Sequence, residues 1–123
     1  MFDHVSFPVR DAVKSRAFYT AALEPLGIGV AVEFPGEVGF GKRGRPQFWL
    51  GGEGTPPGGV HIAFTAATRA DVDAFYHAAI AAGGLDNGAP GLRPHYHANY
   101  YGAFVLDPDG HNVEAVCHLA ESA

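Results

Sequence analysis

Two histidines and one glutamate are the residues of this chain whose types and positions suit metal binding. His4 and His61 each begin a short apolar segment, HVSF and HIAF, and Glu114 lies inside the apolar segment NVEAVC. A carboxylate in an apolar strand needs a cation or a hydrogen-bond donor, because burying it alone is costly. Two imidazoles and one carboxylate form a set that binds a divalent metal and leaves positions open for substrate or water. Taken singly, each residue has an ordinary alternative, a surface or capping histidine or a glutamate facing solvent.

The two histidines occupy equivalent positions of an internal repeat. Residues 4–27 align with residues 61–84 without a gap, at an offset of 57, and eight of the 24 aligned pairs are identical. Unrelated segments would share roughly one or two identities, somewhat more in a chain rich in Ala and Gly. The repeat therefore indicates a duplication that places His4 and His61 symmetrically.

Each repeat predicts a strand, a helix and three further short strands. Asp11 is positioned to cap the first helix, and Thr68 with Asp71 resembles a capping box at the second. The predicted strands are 5–9, 28–34, 38–41, 47–50, 62–65, 85–89, 101–106 and 112–118. The sequence Asp-Pro-Asp-Gly at 107–110 predicts a type I turn between the last two strands.

This pattern predicts an α+β fold of two βαβββ modules, about residues 1–57 and 58–123 of one domain spanning 1–123. A helix covers only one face of so small a sheet, so we expect the two modules to pair and form a shared β-sheet cavity.

Composition limits the classes of partner. The net charge is −5, and residues 59–123 carry all of it, which disfavours nucleic acid and anionic membranes as partners. Cys117 is the single cysteine, and no stretch approaches 18 apolar residues or reads as an export signal. These features predict a cytoplasmic protein that neither spans nor binds a membrane.

A further group of polar and aromatic residues is expected to line the cavity. Its members share a polar tip on a large side chain, suited to bind a substrate or to transfer a proton, and they lie in two segments of the chain. They are Gln47 and Trp49 in the first module, and Arg93, His95, His97, Tyr100 and Tyr101 in the second. Packing within the core or against another subunit is the alternative for the aromatic members. His77 is expected to be exposed, and His111 and His118 receive no role.

Three features of the sequence point to a known family: the paired segments HVSF and HIAF, the AFY of both helices and the motif LDPDGHNVEAV. They resemble the vicinal oxygen chelate superfamily, whose members have the glyoxalase/bleomycin resistance/dioxygenase fold. The resemblance spans about residues 4–118. It implies that one divalent metal, Zn, Ni, Fe or Mn, is bound by His4, His61 and Glu114. It also implies a small-molecule substrate and a homodimer, in which the modules pair either within one chain or between two chains.

The function that the resemblance implies is that of a metal-dependent, glyoxalase-like enzyme acting on a small oxygen-rich substrate, such as isomerisation of the lactoylglutathione lyase type. The family's fourth metal position maps to residues 47–50, and none of these residues is acidic, although glyoxalase I typically has a glutamate there. A thiol transferase and an extradiol dioxygenase are therefore alternatives. A non-catalytic, bleomycin-resistance-type protein that binds a small molecule or antibiotic is the alternative from a different class.

Overall fold

A computed structural model describes residues 1–51, 56 and 58–120. The first repeat contains β1 (Val5–Phe7), α1 (Ala12–Leu23), a short 3-10 turn (Glu24–Leu26), β2 (Gly29–Phe34), β3 (Glu37–Lys42) and β4 (Arg45–Gly51). The second contains β5 (His61–Thr65), α2 (Arg69–Ala81), β6 (Leu85–Leu92), β7 (Tyr101–Leu106) and β8 (Asn112–Cys117). The predicted α+β class and the two βαβββ modules are confirmed.

The two modules have the same sheet topology. The strand order is β1-β4-β3-β2 in one sheet and β5-β8-β7-β6 in the other. In both sheets the first strand runs parallel to the last, and the other neighbours are antiparallel. The parallel pairs bring the start of each repeat beside its end, so in the second module His61 on β5 lies near β8.

Both helices begin at the predicted caps and bury equivalent positions. The Asp11 side chain accepts a hydrogen bond from the Lys14 amide, and the Thr68 hydroxyl accepts one from the Asp71 amide. Three buried pairs lie 57 residues apart on the two helices: Ser15/Val72, Phe18/Phe75 and Ala22/Ala79. The repeat found in the sequence is therefore a repeat of packing.

Seven of the eight strands differ from their predicted ranges, and in two of them a proline explains the difference. β1 ends at Phe7 because Pro8 has no amide hydrogen to continue the ladder. β6 extends beyond the predicted 85–89 to Leu92 and includes Pro90. It tolerates the proline because it is the edge strand of its sheet and its register is irregular.

One hydrophobic core joins the modules. The rings of Phe48 and Phe64, one from each module, meet edge to face at 5.2 Å. A cavity of about 480 Å³ lies between the modules, and its lining includes His4, Gln47 and Ala63. Across the described ranges of the chain, neither helix is long and apolar enough to cross a membrane.

Candidate metal and substrate site

His61 and Glu114 form a hydrogen-bonded pair on two adjacent strands. β5 and β8 run parallel, with Ala63 opposite Glu114. His61 Nε2 lies 2.8 Å from Glu114 Oε1. The Glu114 side chain is 1% exposed whereas that of His61 is 53% exposed, so the carboxylate lies beneath an imidazole that solvent reaches. The structure thus brings together two of the three predicted metal ligands.

Tyr100 holds the second carboxylate oxygen. Its hydroxyl donates a hydrogen bond to Glu114 Oε2. Gly102 leaves room for this contact, because a Cβ there would lie 3.2 Å from the Tyr100 ring and 3.3 Å from Oε2. Burial, then the hydrogen bond and the charge of Glu114, raise the pKa of Tyr100, against a smaller lowering by Arg93. Tyr100 is therefore a protonated donor at neutral pH.

The segment from Arg93 to Tyr100 folds into a closed loop of aromatic rings. The Arg93 amide donates to the Tyr100 carbonyl at 2.7 Å, which closes the loop. Ring centroids are 4.1 Å apart for His95 and Tyr96, and 5.1 Å apart for Tyr96 and Tyr100. The predicted rim residues His95, His97 and Tyr100 thus belong to the same loop, beside Glu114.

His118, for which the sequence predicts no role, joins this loop from the end of β8. Its ring lies edge to face with Tyr100 at 5.2 Å and with His97 at 5.5 Å. Strand alternation could have shown this position, because His118 lies four residues after Glu114 and so on the same side of an extended strand.

Arg93 places a cation on the face that carries Glu114. Its Cζ lies 5.4 Å from the centroid of the Phe104 ring. Phe104 is directly opposite Glu114 in the ladder between β7 and β8, so the two side chains share a face. The Phe104 ring is 6.3 Å from the His61 ring.

The predicted residues of the first module form a separate group. His4 Nδ1 lies 2.7 Å from the carboxylate of the adjacent Asp3. His4 and Trp49 line a hollow together with Ser6 and Glu37, and Gln47 lines the cavity between the modules. Among the described residues, His4 does not lie within metal-sharing distance of both His61 and Glu114 in one chain.

Tyr101 lies on the opposite face of its sheet from Glu114. Its hydroxyl donates to Asp73 of α2 at 2.6 Å, and Arg69 packs over its ring. The Tyr100 hydroxyl meets Glu114 on one face of the sheet and the Tyr101 hydroxyl meets α2 on the other, so the two rings do not line one pocket. Tyr101 therefore stabilises the packing of helix on sheet, contrary to the expectation that it lines the cavity.

A second group of potential metal ligands lies in the turn before β8. Asp107, Asp109 and His111 are buried, and one ligand atom from each lies within 4.8 Å of the others. Of the described residues, this is the set of three whose proximity would allow it to hold an ion. The sequence predicts a turn here and indicates no ligand role for these three residues, since burial of their side chains depends on contacts with the first module.

The hydrogen bonds of this group point to a link between the modules. Asp107 accepts from the Tyr19 hydroxyl at 2.5 Å and from the amides of Asp109 and His111 at 2.9 Å each. His111 Nδ1 accepts from the Val60 amide, so in the neutral ring Nε2 carries the proton and cannot ligate a metal. Both oxygens of Asp107 are occupied by donors, whereas Asp109 Oδ2 and His111 Nε2 are buried without a hydrogen-bond partner among the described residues. Asp107 and Asp109 contact the first module through the Tyr19 hydroxyl and the Arg10 amide, so this turn joins the modules.

Two βαβββ modules with one sheet topology, a shared core and a histidine–carboxylate pair define the class of protein. The sequence profile of the Glyoxalase/Bleomycin resistance protein/Dioxygenase superfamily matches residues 1–115. The chain belongs to this superfamily, whose members often bind a metal. No functionally curated protein matches the chain.

Solved structures agree with this assignment. A glyoxalase/bleomycin resistance protein from Albidiferax ferrireducens T118 is 31% identical, with a TM-score of 0.83, over 97% of this chain and 99% of that one. A family enzyme from Burkholderia phytofirmans PsJN is 24% identical, with a TM-score of 0.73, over 95% and 98% of the two chains. A glyoxalase-related enzyme from Fulvimarina pelagi is 20% identical, with a TM-score of 0.71, over 92% and 84%. The last two show likeness of fold alone.

Proposed function

We propose that the protein is a metal-dependent, glyoxalase-like enzyme in which one divalent ion is held by His61 and Glu114 of one chain and His4 of a second copy. Glu114 carries this proposal, because its carboxylate is almost fully buried. In the described part of the chain, no Lys or Arg forms an ion pair with it, and its partners are His61 and Tyr100. A buried carboxylate without a fixed cation is costly, and a bound metal would offset that cost.

The donor set suits a borderline divalent ion. Imidazole nitrogen and carboxylate oxygen are ligands for Zn, Ni, Fe and Mn. Because His4 does not meet the pair within one chain, the third ligand would come from a second copy. Proteins of this family are often dimeric, which agrees with that arrangement.

Bound there, the ion would act as a Lewis acid toward oxygen atoms of a small substrate. Tyr100 would keep Glu114 Oε2 occupied, so that Oε1 is the oxygen left to bind metal. The rings of the loop at 93–100 would shield the site from water on one side. The residues at 47–50 include no acid to act as the proton carrier of glyoxalase I. Thiol transfer and ring-cleaving dioxygenation are therefore retained beside isomerisation.

Elemental analysis of the purified protein tests the proposal. We expect the wild type to retain a divalent ion and His61→Ala and Glu114→Gln to lose it. His77→Ala is the matched control, because His77 is an exposed imidazole on α2. Fe would direct substrate trials to dioxygenation, Ni or Zn to isomerisation, and Mn to thiol transfer. A wild type that takes up none of these ions would refute the enzyme proposal and favour the non-catalytic binding protein.

Mixing two inactive chains tests the origin of His4. His4→Ala and His61→Ala each remove one ligand from every site of a homodimer. In a mixed dimer, the His61→Ala chain supplies an intact His4 and the His4→Ala chain supplies an intact His61 and Glu114, so one of the two sites is restored. A site built within one chain would not be restored, and the absence of metal from the mixture would exclude the shared site.

A further inference from the structure

We infer that Arg93 forms an anion-binding subsite beside the His61–Glu114 pair, so that the substrate carries a carboxylate or phosphonate as well as the oxygens directed to the pair. The claim that other substrate oxygens bind at the His61–Glu114 pair rests on the proposed function, whereas the anion site at Arg93 does not. Arg93 has a favourable place on the sheet, no acidic partner among the described residues, and a slot that holds it.

Arg93 is an isolated cation in the acidic half of the chain. Residues 59–123 contain two basic residues, Arg69 and Arg93, against seven acidic ones. Arg69 packs over Tyr101, on the face of the sheet away from Glu114. Arg93 thus provides the guanidinium on the face that carries Glu114, where a second negative group would otherwise be repelled.

The guanidinium of Arg93 is held without an acidic partner. It donates to the Ala89 carbonyl at 2.8 Å and makes a long contact of 3.5 Å with the Leu92 carbonyl. Within the described residues it forms no ion pair with Asp or Glu. A guanidinium has five N–H donors, so these two carbonyls leave donors for a ligand anion. Planar oxyanions such as carboxylate fit this fork, and so do phosphonate oxygens.

Two glycines on β6 form the slot for Arg93. A Cβ on Gly88 would lie 3.3 Å from one guanidinium nitrogen, and a Cβ on Gly91 would lie 3.1 Å from the other. On its remaining side the guanidinium lies over the Phe104 ring. The ring shields one face of the half-buried guanidinium from water, which limits the screening of its interaction with an anion.

Arg93 and His61 are both neighbours of the Phe104 ring. The Phe104 ring is the spacer between Arg93, 5.4 Å from its centroid, and the His61 ring, 6.3 Å from it. A ligand lying over Phe104 would direct its anionic end to Arg93 and its other oxygens to His61 and Glu114. The substrate class is therefore a short organic acid with a further oxygen function a few bonds from the acid group.

Binding of two isosteric probes to metal-free protein tests the subsite. 3-Hydroxypropionate and its uncharged amide, 3-hydroxypropionamide, are titrated at constant ionic strength and followed by amide chemical shifts, with 2-hydroxyethylphosphonate as the phosphonate arm. We expect wild type to bind at least one anion about tenfold to a hundredfold more tightly than the amide, the range for hydrogen bonds to charged groups. The arms separate a carboxylate substrate from a phosphonate one.

The variants separate this subsite from general charge effects and from misfolding. Arg93→Gln should abolish the preference for the anion and Arg93→Lys should retain part of it, whereas Lys14→Gln removes an exposed charge on α1 and should change nothing. Gly91→Leu fills the slot while keeping Arg93, and it should also weaken anion binding. It serves as the test if Arg93→Gln does not fold.

The outcome is independent of the metal measurement. An Arg93-dependent preference for the anion in a protein that retains no metal would support the subsite while refuting the proposed enzyme. Retention of metal together with equal affinity for both anions and the amide, or a preference unchanged in Arg93→Gln, would overturn the inference.

Discussion

The Tyr19 hydroxyl connects α1 of the first module to the turn before β8 of the second, and Tyr19→Phe removes this connection alone. Tyr19 is fully buried, and its hydroxyl donates to Asp107 Oδ2 at 2.5 Å. Phenylalanine keeps the ring and its edge-to-face contacts with Phe18 at 4.9 Å and Phe48 at 5.0 Å. The substitution therefore isolates a hydrogen bond between modules from the packing around it.

The expected loss of stability depends on the hydrogen bonds that Asp107 retains in Tyr19→Phe. A hydrogen bond to a charged group contributes about 1.5–3 kcal/mol, and leaving a buried acceptor unpaired costs more. Asp107 is 5% exposed, but it still accepts from the amides of Asp109 and His111. We therefore expect a loss of about 2 kcal/mol in the free energy of unfolding. In a chain of 123 residues this lowers the melting temperature by about 6–10 °C.

Urea and thermal unfolding at neutral pH and fixed protein concentration measure this loss. Tyr76→Phe is the matched control, because Tyr76 holds the equivalent position of the second repeat and Asp86, the carboxylate that raises its pKa, is exposed. Its effect should be clearly smaller. In a double-mutant cycle with Asp107→Asn, the two substitutions should be non-additive. If Tyr19→Phe destabilises no more than Tyr76→Phe, the turn does not connect the modules as argued.

The remaining predictions concern the site and the response to pH. Tyr100→Phe should weaken metal retention about tenfold or more, because it removes a hydrogen-bond partner of the metal ligand Glu114. Tyr101→Phe should leave retention unchanged, and elemental analysis after dialysis distinguishes the two variants. Gly102→Ala places a methyl group against Tyr100 and Glu114 and should weaken retention in the same assay, while circular dichroism shows an unchanged fold. Burial, then the charge and hydrogen bond of Asp107, raise the pKa of Tyr19 far above its ordinary value. Above about pH 10, Tyr19 therefore loses its proton in the unfolded chain but keeps it in the folded one. Stability should fall there with a contribution from this tyrosine of about 1.4 kcal/mol per pH unit, and urea unfolding of Tyr19→Phe should show a shallower fall.

Most of the fold was predictable from the sequence because local rules determine it. The caps at Asp11 and Thr68 fix the helix starts through hydrogen bonds to nearby amides. The turn at 107–110 closes with the Gly110 amide on the Asp107 carbonyl, as a type I turn requires. The extension of β6 through Pro90 was not predictable, since only its position at the sheet edge makes a proline acceptable there.

The site was predictable only in part, because its residues meet through sheet pairing. The repeat identified His61, and an acid in an apolar strand identified Glu114, and the parallel pairing of β5 with β8 joins them. Tyr100, just before β7, bonds Glu114, and Tyr101, its first residue, bonds Asp73 on the other face, which a list of aromatic residues does not reveal. Whether His4 joins the site stays a prediction, since it depends on a second chain.

The sequence by itself determined the duplication, the order of elements and the residue types that suit a metal, because these depend on spacing along one chain. Only the tertiary structure decided which polar groups are buried together. His111 and Asp107, which the sequence left within a turn, became contacts between the modules because Tyr19 of α1 reaches Asp107 and Phe7 of β1 packs on His111. Arg93 became a candidate anion site because Gly88, Gly91 and Phe104 leave it a slot beside Glu114. Burial and the removal of water give these groups their chemistry, and both arise only when segments distant in sequence pack together.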